Sequence, residues 1–473
     1  MLPTLAFDAA LLRRYDRPGP RYTSYPTAPQ FETSFGDADL REAIADSNGD
    51  PIPQRLSLYV HVPFCLSPCF YCGCNRVITR DRTRADGYLT NLHREITTIA
   101  PLFDRDRAVV QLHVGGGTPN FLTPAQLRWT VDTLRREFTF SQASDRDISI
   151  ELDPRTVSPA DIRELARAGF NRASFNRASF NRASLGVQDF DPDVQHAVNR
   201  VQGIEQTRAV IDACRHYGFR SVNVDLIYGL PKQTLAGFAR TLETVIAMRP
   251  DRLAVYSYAH LPEMFKAQRQ LNAEDFPSAE TKLALLQLSI GRLIDAGYIY
   301  IGMDHFALPD DELALAQQRG SLHRNFMGYT THAESDLIGL GVSAIAHIGN
   351  SFSQSPRDLQ GWQNALDAGR LPVFRGMRLS DDDLLRADLI QRLMCQAEIP
   401  IAALERRYGI DFQRYFAEDL QRLRPLQDDG LVFKARERIL VTARGRLLLR
   451  TIAMCFDRYL HRPNETSRFS RAI

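Results

Sequence analysis

Short apolar runs alternate along this chain with longer stretches in which apolar residues recur every three to four positions, the pattern of strand followed by helix. The pattern predicts strands over residues 55–62, 109–114, 148–152, 183–187, 221–227 and 253–258, with helices between them over 85–99, 124–138, 159–168, 204–217 and 235–248. End signals support several of these helices. Ser158-Pro159 places a capping side chain before a proline at the first helical position, and Gly169 and Gly218 follow helix ends. Strand and helix in strict alternation predict a parallel sheet with right-handed crossovers. Periodicity alone leaves two arrangements open, a partial (β/α)6 barrel and a doubly wound sheet.

The flanks read differently. Residues 1–54 form an N-terminal arm with a short helical start over 9–15 and a proline-rich tail. After residue 260 come a helix over 278–296, a strand-like 298–303 and a glycine-rich segment over 323–349. Residues 55–375 are then read as the catalytic domain and 376–473 as a small, mostly helical C-terminal domain. In the latter, helices over 384–395, 401–408 and 412–423 precede a hairpin of 431–434 and 439–442, a winged-helix-like order. Such domains often bind DNA, but the segment in the recognition position carries Glu418 and Asp419, so a lid over substrate or cofactor is the expectation.

One segment breaks every regular period. Phe-Asn-Arg-Ala-Ser occurs three times in tandem, at 170–174, 175–179 and 180–184. A five-residue period fits neither strand nor helix, since in a strand each copy would face the opposite side of the last. The third copy leads into Gly186-Val187-Gln188 and is predicted to be strand, leaving the first two as an insertion in a helix-to-strand loop. Such loops lie on the face of a barrel opposite its chemistry, where insertions are tolerated.

Candidate chemistry concentrates just after the first predicted strand. Cys65, Cys69, Cys72 and Cys74 follow Tyr59-Val60-His61-Val62-Pro63-Phe64, and the first three have the spacing C-x3-C-x2-C. Three thiolates on one tight loop suit three irons of a [4Fe–4S] cube, with a ligand completing the fourth. Structural zinc prefers two separated cysteine pairs, and no second pair exists in the sequence. Cys74 is left as a spare thiol. His61 is either a polar contact near the cluster or a core histidine. Cys214, Cys395 and Cys455 sit in apolar helical patterns as buried free thiols. That usage fits a reducing cytosol, and no basic-then-apolar leader is visible.

Composition narrows the classes. The chain has 473 residues, 44% of them hydrophobic, and a net charge of +2. A charge so near zero gives no whole-molecule case for binding nucleic acid or a membrane surface. No apolar run approaches the roughly 20 residues that span a bilayer.

The cysteine motif with its flanks, Tyr59 to Cys65 and Cys72-Gly73-Cys74-Asn75, together with Gly19-Pro20-Arg21-Tyr22-Thr23-Ser24-Tyr25-Pro26-Thr27, resembles the oxygen-independent coproporphyrinogen III oxidase (dehydrogenase) family of radical S-adenosylmethionine (SAM) enzymes. The resemblance favours the barrel. It implies a [4Fe–4S] cluster held by Cys65, Cys69 and Cys72, and two SAM molecules. Tyr59, Gly116, Glu151 and Ile345 match the first SAM site; Tyr71, Gly117, Thr118, Gln188, Arg200, Asp225 and Ala259 match the second. It implies oxidative decarboxylation of coproporphyrinogen III, with a low-potential electron donor such as a flavodoxin or ferredoxin, in a cytoplasmic monomer. The four carboxylates of that substrate call for arginines, of which Arg21 and Arg200 are candidates. In the family pattern a glutamine stands where this chain has Met327. The alternatives are a radical-SAM-like haem chaperone and a non-catalytic iron–sulfur or haem-binding protein.

Overall fold

The computed structural model describes residues 5–167, 181–461 and Phe469. The chain divides into two compact units, one of Phe31–Ser278 with Glu334–Arg378, the other of Met1–Gln30, Ala279–Ala333 and Leu379–Ile473.

In the first unit, β1 (Arg55–Val62), β2 (Val109–Gly116), β3 (Asp147–Leu152), β4 (Arg182–Gln188), β5 (Ser221–Tyr228) and β6 (Arg252–Ser257) lie side by side in chain order. Every neighbouring pair is parallel. The connecting helices are α1 (Arg84–Ile99), α2 (Pro124–Glu137), α3 (Pro159–Arg167), α4 (Ile204–His216) and α5 (Leu235–Met248). A doubly wound sheet reverses its strand order at a switch point. The unbroken order here marks the partial (β/α)6 barrel instead.

Alternation along the strands creates two unlike faces. Leu58, Val60, Leu112, Val114, Ile150, Leu152, Ala183, Leu185, Val222 and Val224 are fully buried. Tyr59, His113, Glu151, Ser184 and Asp225, on the alternate positions, are half-buried and polar. One face therefore supplies the apolar core, and the other supplies chemistry.

The glycine-rich segment holds more structure than its composition suggests. Ser335–Leu340 forms β7, parallel to β1 on the side away from β2, with Tyr59 opposite Gly339. An antiparallel meander of β8 (Ile345–Ile348), β9 (Ser351–Gln354) and β10 (Arg375–Arg378) continues the sheet. The N-terminal stretch also contains a helix, Asp37–Asn48, that its sparse apolar positions did not announce; it buries Leu40, Ala43 and Ile44.

Arg182, Ala183 and Ser184 of the third Phe-Asn-Arg-Ala-Ser copy enter β4, as expected from its continuity with Gly186. The first two copies, and Gly169, lie outside the described residues.

The second unit carries helices Asp381–Gln396 and Ile401–Tyr408, and a three-stranded antiparallel sheet of Glu398–Pro400, Val432–Lys434 and Arg438–Val441. The single helix expected over 412–423 is instead two, Phe412–Tyr415 and Ala417–Asp428. The break falls at Phe416, which leaves helical geometry and buries its ring between Phe412 and Phe456. Core burial of that ring outweighs one turn of helical continuity. Among the described residues no helix is long and apolar enough to cross a membrane.

Candidate active site at the strand ends

β1 runs directly into the cysteine loop. A two-residue parallel pairing, Phe64 with Val77 and Cys65 with Ile78, closes the loop at its base. Pro63 and Pro68 keep it from coiling into helix. Arg76 stitches it from inside, donating from Nη1 to Cys72 O (3.0 Å) and Cys74 O (3.4 Å) and from Nη2 to Cys69 O (3.4 Å). From outside, the Phe70 N–H donates to Val198 O (3.0 Å), and Asn199 Nδ2 donates to Pro68 O (2.7 Å).

The thiols sit in unequal surroundings. Cys65 and Cys69 are buried, Cys72 is half-buried and Cys74 is exposed. Burial pushes the Cys65 thiol up to about 11, against a hydrogen bond from Thr118 Oγ1 at 3.3 Å. The hydrogen bond from the Cys74 thiol brings Cys72 down to about 6, in opposition to burial. Cys69 Sγ receives two guanidinium donors, Arg200 Nη1 at 3.5 Å and Arg155 Nη2 at 3.6 Å. Donors aimed at cluster sulfurs are a principal means by which a protein tunes iron–sulfur potentials.

These residues fit a cluster better than a single ion. Among the described residues no three His, Cys, Asp or Glu side chains converge on a point that one metal ion would occupy. Three free cysteines are nonetheless confined to one closed loop, the donor set of a cube that holds its thiolates at separate corners.

A second group of residues lines the ends of β1, β2 and β3. The Tyr59 ring stacks on His113, with centroids 5.9 Å apart. His113 Nε2 donates to Glu151 Oε1 (3.1 Å), and the Gly116 N–H donates to Glu151 Oε2 (3.1 Å). Burial pushes the Glu151 carboxyl up, but His113 and the Gly116 N–H outweigh it and leave the group below its ordinary value. Gly116 has φ +116°, and a Cβ there would lie 2.8 Å from the His61 ring. At Gly117 a Cβ would lie 2.7 Å from Pro63 O, so only glycine lets the two loops approach. Ile345 begins β8, its carbonyl against Gly339, the register partner of Tyr59.

His61 resolves into a positioning contact. Its Nδ1 meets the Tyr59 hydroxyl at 3.0 Å and its Nε2 meets Asn75 O at 2.9 Å, so one ring ties the strand to the far end of the cysteine loop. Burial lowers its pKa, which favours the neutral ring.

A third group gathers around β4 and β5. Gln188, at φ +72°, and Arg200 both point at Gly186, and Arg200 Nη2 donates to Gly186 O (2.5 Å). Arg200 also pairs with Asp153 at 3.3 Å. Asp225 accepts from Asn223 Nδ2 (2.8 Å) and Ser184 Oγ (3.1 Å), and burial pushes its carboxyl up to about 6. Gln268 Nε2 joins Tyr71 O (3.0 Å) to Ala259 O (3.2 Å), bringing those two together.

Arg21 and Met327 belong to the other unit. Arg21 pairs there with Asp304. Met327 sits at the turn of a hairpin of His323–Asn325 and Gly328–Thr330, its N–H bonded to Asn325 Oδ1 at 2.9 Å. Sequence reasoning passed over His113, Arg155 and Gln268. His113 had a signal, as a polar residue on the same alternate face as Tyr59. Gln268, in a short 3-10 helix (Lys266–Gln270) after β6, had none.

The chain matches the Radical SAM superfamily over residues 59–245 and the HemN C-terminal domain over residues 379–448. It is 50% identical over 473 residues to the oxygen-independent coproporphyrinogen III oxidase of Pseudomonas aeruginosa, covering 100% of each chain. To the protein of that name from Escherichia coli it is 47% identical over 468 residues, covering 99% of this chain and 98% of the other. A solved structure of the E. coli coproporphyrinogen III oxidase, HemN, described as a radical SAM enzyme, superposes with a TM-score of 0.89 at 46% identity, over 96% of this chain and 100% of that one. With likeness of that degree over the whole length, and a cysteine loop of this construction at its centre, the chain belongs to the oxygen-independent coproporphyrinogen III oxidase family of radical SAM enzymes.

Proposed function

We propose that the protein converts two propionate side chains of coproporphyrinogen III to vinyl groups without oxygen, giving protoporphyrinogen IX in haem biosynthesis. The observation that carries this is the closed loop of Cys65, Cys69 and Cys72 beside the Glu151–Gly116 pair, in a chain alike end to end to oxidases of that name. A [4Fe–4S] cluster and SAM held here would supply reductive SAM cleavage and hydrogen abstraction at a propionate β-carbon, with CO2 released and the remaining electron passed to a separate one-electron acceptor.

The protein's own groups do the holding. Cys65, Cys69 and Cys72 carry the cluster, with Arg155 and Arg200 donating to the Cys69 sulfur. Tyr59, Gly116, Glu151 and Ile345 hold the first SAM. Glu151, kept ionised by His113, accepts from its ammonium or ribose. Tyr71, Gly117, Thr118, Gln188, Arg200, Asp225 and Ala259 hold a second SAM. A low-potential flavodoxin or ferredoxin delivers the electron to a cytoplasmic monomer.

The test is anaerobic reconstitution followed by SAM, reductant and coproporphyrinogen III. The expected result is 5′-deoxyadenosine with divinyl product, both lost in Cys65→Ala. Uptake of zinc in place of iron and sulfide, or stable haem binding without turnover, would overturn the reading.

A further inference from the structure

The second unit buries an arginine that has no ion pair among the described residues. Arg324, on the first strand of the His323–Asn325 hairpin, is 5% exposed. Its Nε and Nη1 are buried without a hydrogen-bond partner among the described residues. The face of its guanidinium lies over the Tyr329 ring, 4.7 Å from the centroid, which fixes the group and leaves its N–H edge for another partner.

Two further arginines of this unit, Arg450 and Arg21, are linked to Arg324 through Arg450. Arg450 is also 5% exposed, and Arg21 and Arg324 both act on it as like charges. Burial first, and then those neighbours, push Arg450 down to about 10. The other two cations have partners of their own. Arg21 pairs with Asp304. Arg450 donates to Pro20 O (3.1 Å) and to Gly19 O, and Asp16 acts on it favourably. Arg324 has no ion pair among the described residues, and two of its buried N–H groups have no acceptor. A buried charge without a counter-ion is strongly unfavourable, and such a site attracts an anion.

We propose that Arg324, with Arg450 and Arg21 beside it, is a carboxylate-binding site of the second unit that takes a propionate of the tetrapyrrole substrate. This rests on the functional reading above, because that substrate carries the carboxylates. A guanidinium already oriented by an aromatic ring meets a carboxylate with little further ordering, which favours affinity.

The test titrates coproporphyrin III, the fluorescent tetra-acid, into the anaerobically reconstituted holoenzyme and its Arg324→Gln and Arg324→Lys variants. SAM affinity and substrate-free 5′-deoxyadenosine formation are followed in parallel. Loss of a charge-assisted carboxylate contact predicts that Arg324→Gln weakens coproporphyrin III about tenfold or more and raises KM for coproporphyrinogen III in step. Arg324→Lys recovers part of the loss. SAM affinity and the substrate-free reaction stay at wild-type levels, and the melting temperature does not fall, since an uncompensated charge has been removed. Unchanged tetrapyrrole affinity in Arg324→Gln overturns the proposal. So does a loss of SAM affinity instead, which assigns the carboxylate to methionine, and so does an equal loss in both variants with lowered melting, which marks a structural arginine. Wild-type enzyme that neither binds coproporphyrin III nor makes vinyl product overturns the functional reading, and this proposal with it.

Discussion

The ends of β3 and β5 each present a half-buried carboxylate to the same polar face, and the two are prepared in opposite ways. Glu151 has a histidine and a backbone N–H, one on each oxygen, and lies below its ordinary pKa despite burial. Asp225 has two neutral donors, Asn223 and Ser184; burial first, with the Glu151 charge adding to it and Arg200 opposing, takes it up to about 6. Hydrogen bonds from a polar ring and an oriented peptide dipole offset desolvation where two neutral side-chain donors do not. The difference teaches that one end of this face is set to stay charged before any ligand arrives. The other gains most from a ligand that brings a positive charge.

The largest effect tests the charged end. Glu151→Gln keeps the shape but removes the charge that accepts from SAM, and loss of that charge-assisted contact costs about 1.5–3 kcal/mol in SAM binding, roughly ten- to a hundredfold. Equilibrium binding of SAM to the reconstituted protein measures it, and a loss under threefold would mean that Glu151 does not meet SAM.

Next comes the backbone that supplies the N–H. Gly116→Ala forces a side chain onto φ +116° and against the His61 ring. Strain of this kind destabilises by about 1–3 kcal/mol, and it also displaces a donor of Glu151. Urea unfolding gives the first quantity and SAM affinity the second. Both should fall together; stability falling alone would detach Gly116 from the carboxylate.

Asp225 reverses the sign. Its folded pKa near 6 exceeds its ordinary value of 3.8, so stability from this group is complete below about 3.8 and is lost as pH rises through about 6. Glu151 behaves oppositely, contributing above its ordinary 4.5 and losing that contribution as pH falls through its depressed value. Asp225→Asn should therefore make the SAM-free protein more stable at pH 7.5, by about 1–2 kcal/mol after allowance for partial solvent exposure, and the advantage should vanish by pH 4. Denaturant melts across that range check it. An advantage that grows on acidification would overturn the contrast.

The two ends were not equally legible in the sequence. Strand ends carrying Gly115-Gly116-Gly117 and Glu151 could be placed because strict alternation fixed β2 and β3 to within two residues, and a barrel presents such ends together. His113 is what makes Glu151 a charged group, and it lies 38 residues away in sequence, so local pattern does not connect them. Asp225 sat plainly at the end of a predicted strand, but one of its two neutral donors, Ser184, is brought across by strand pairing. The same limit hid β7 to β10. Their runs are short and glycine-interrupted, so nothing in periodicity distinguishes them from loop; parallel pairing to β1 makes β7 sheet, and antiparallel pairing outward from β7 makes sheet of β8 to β10. The helix Asp37–Asn48 escaped because it buries a narrow stripe on an otherwise polar segment.

The smallest effect asks how much the neutral partners matter at all. Ser184 Oγ donates to Asp225 Oδ2 and accepts from Asn223 Nδ2 at 2.9 Å. Ser184→Ala removes one donor from the carboxylate while Asn223 keeps the other. A net hydrogen bond of about 0.5–1.5 kcal/mol corresponds to roughly half to one pKa unit, so Asp225 should move up by that amount. The measurement compares Ser184→Ala with the Ser184→Ala/Asp225→Asn double variant by denaturant melts from pH 4 to 8, the difference between them titrating with Asp225 alone. An upward move makes Asp225 still more dependent on an incoming cation and widens its distance from Glu151. A downward move would mean that the serine hydroxyl points its proton elsewhere, and that Asn223 alone, with its two-residue reach along β5, sets the charge state of this end of the face.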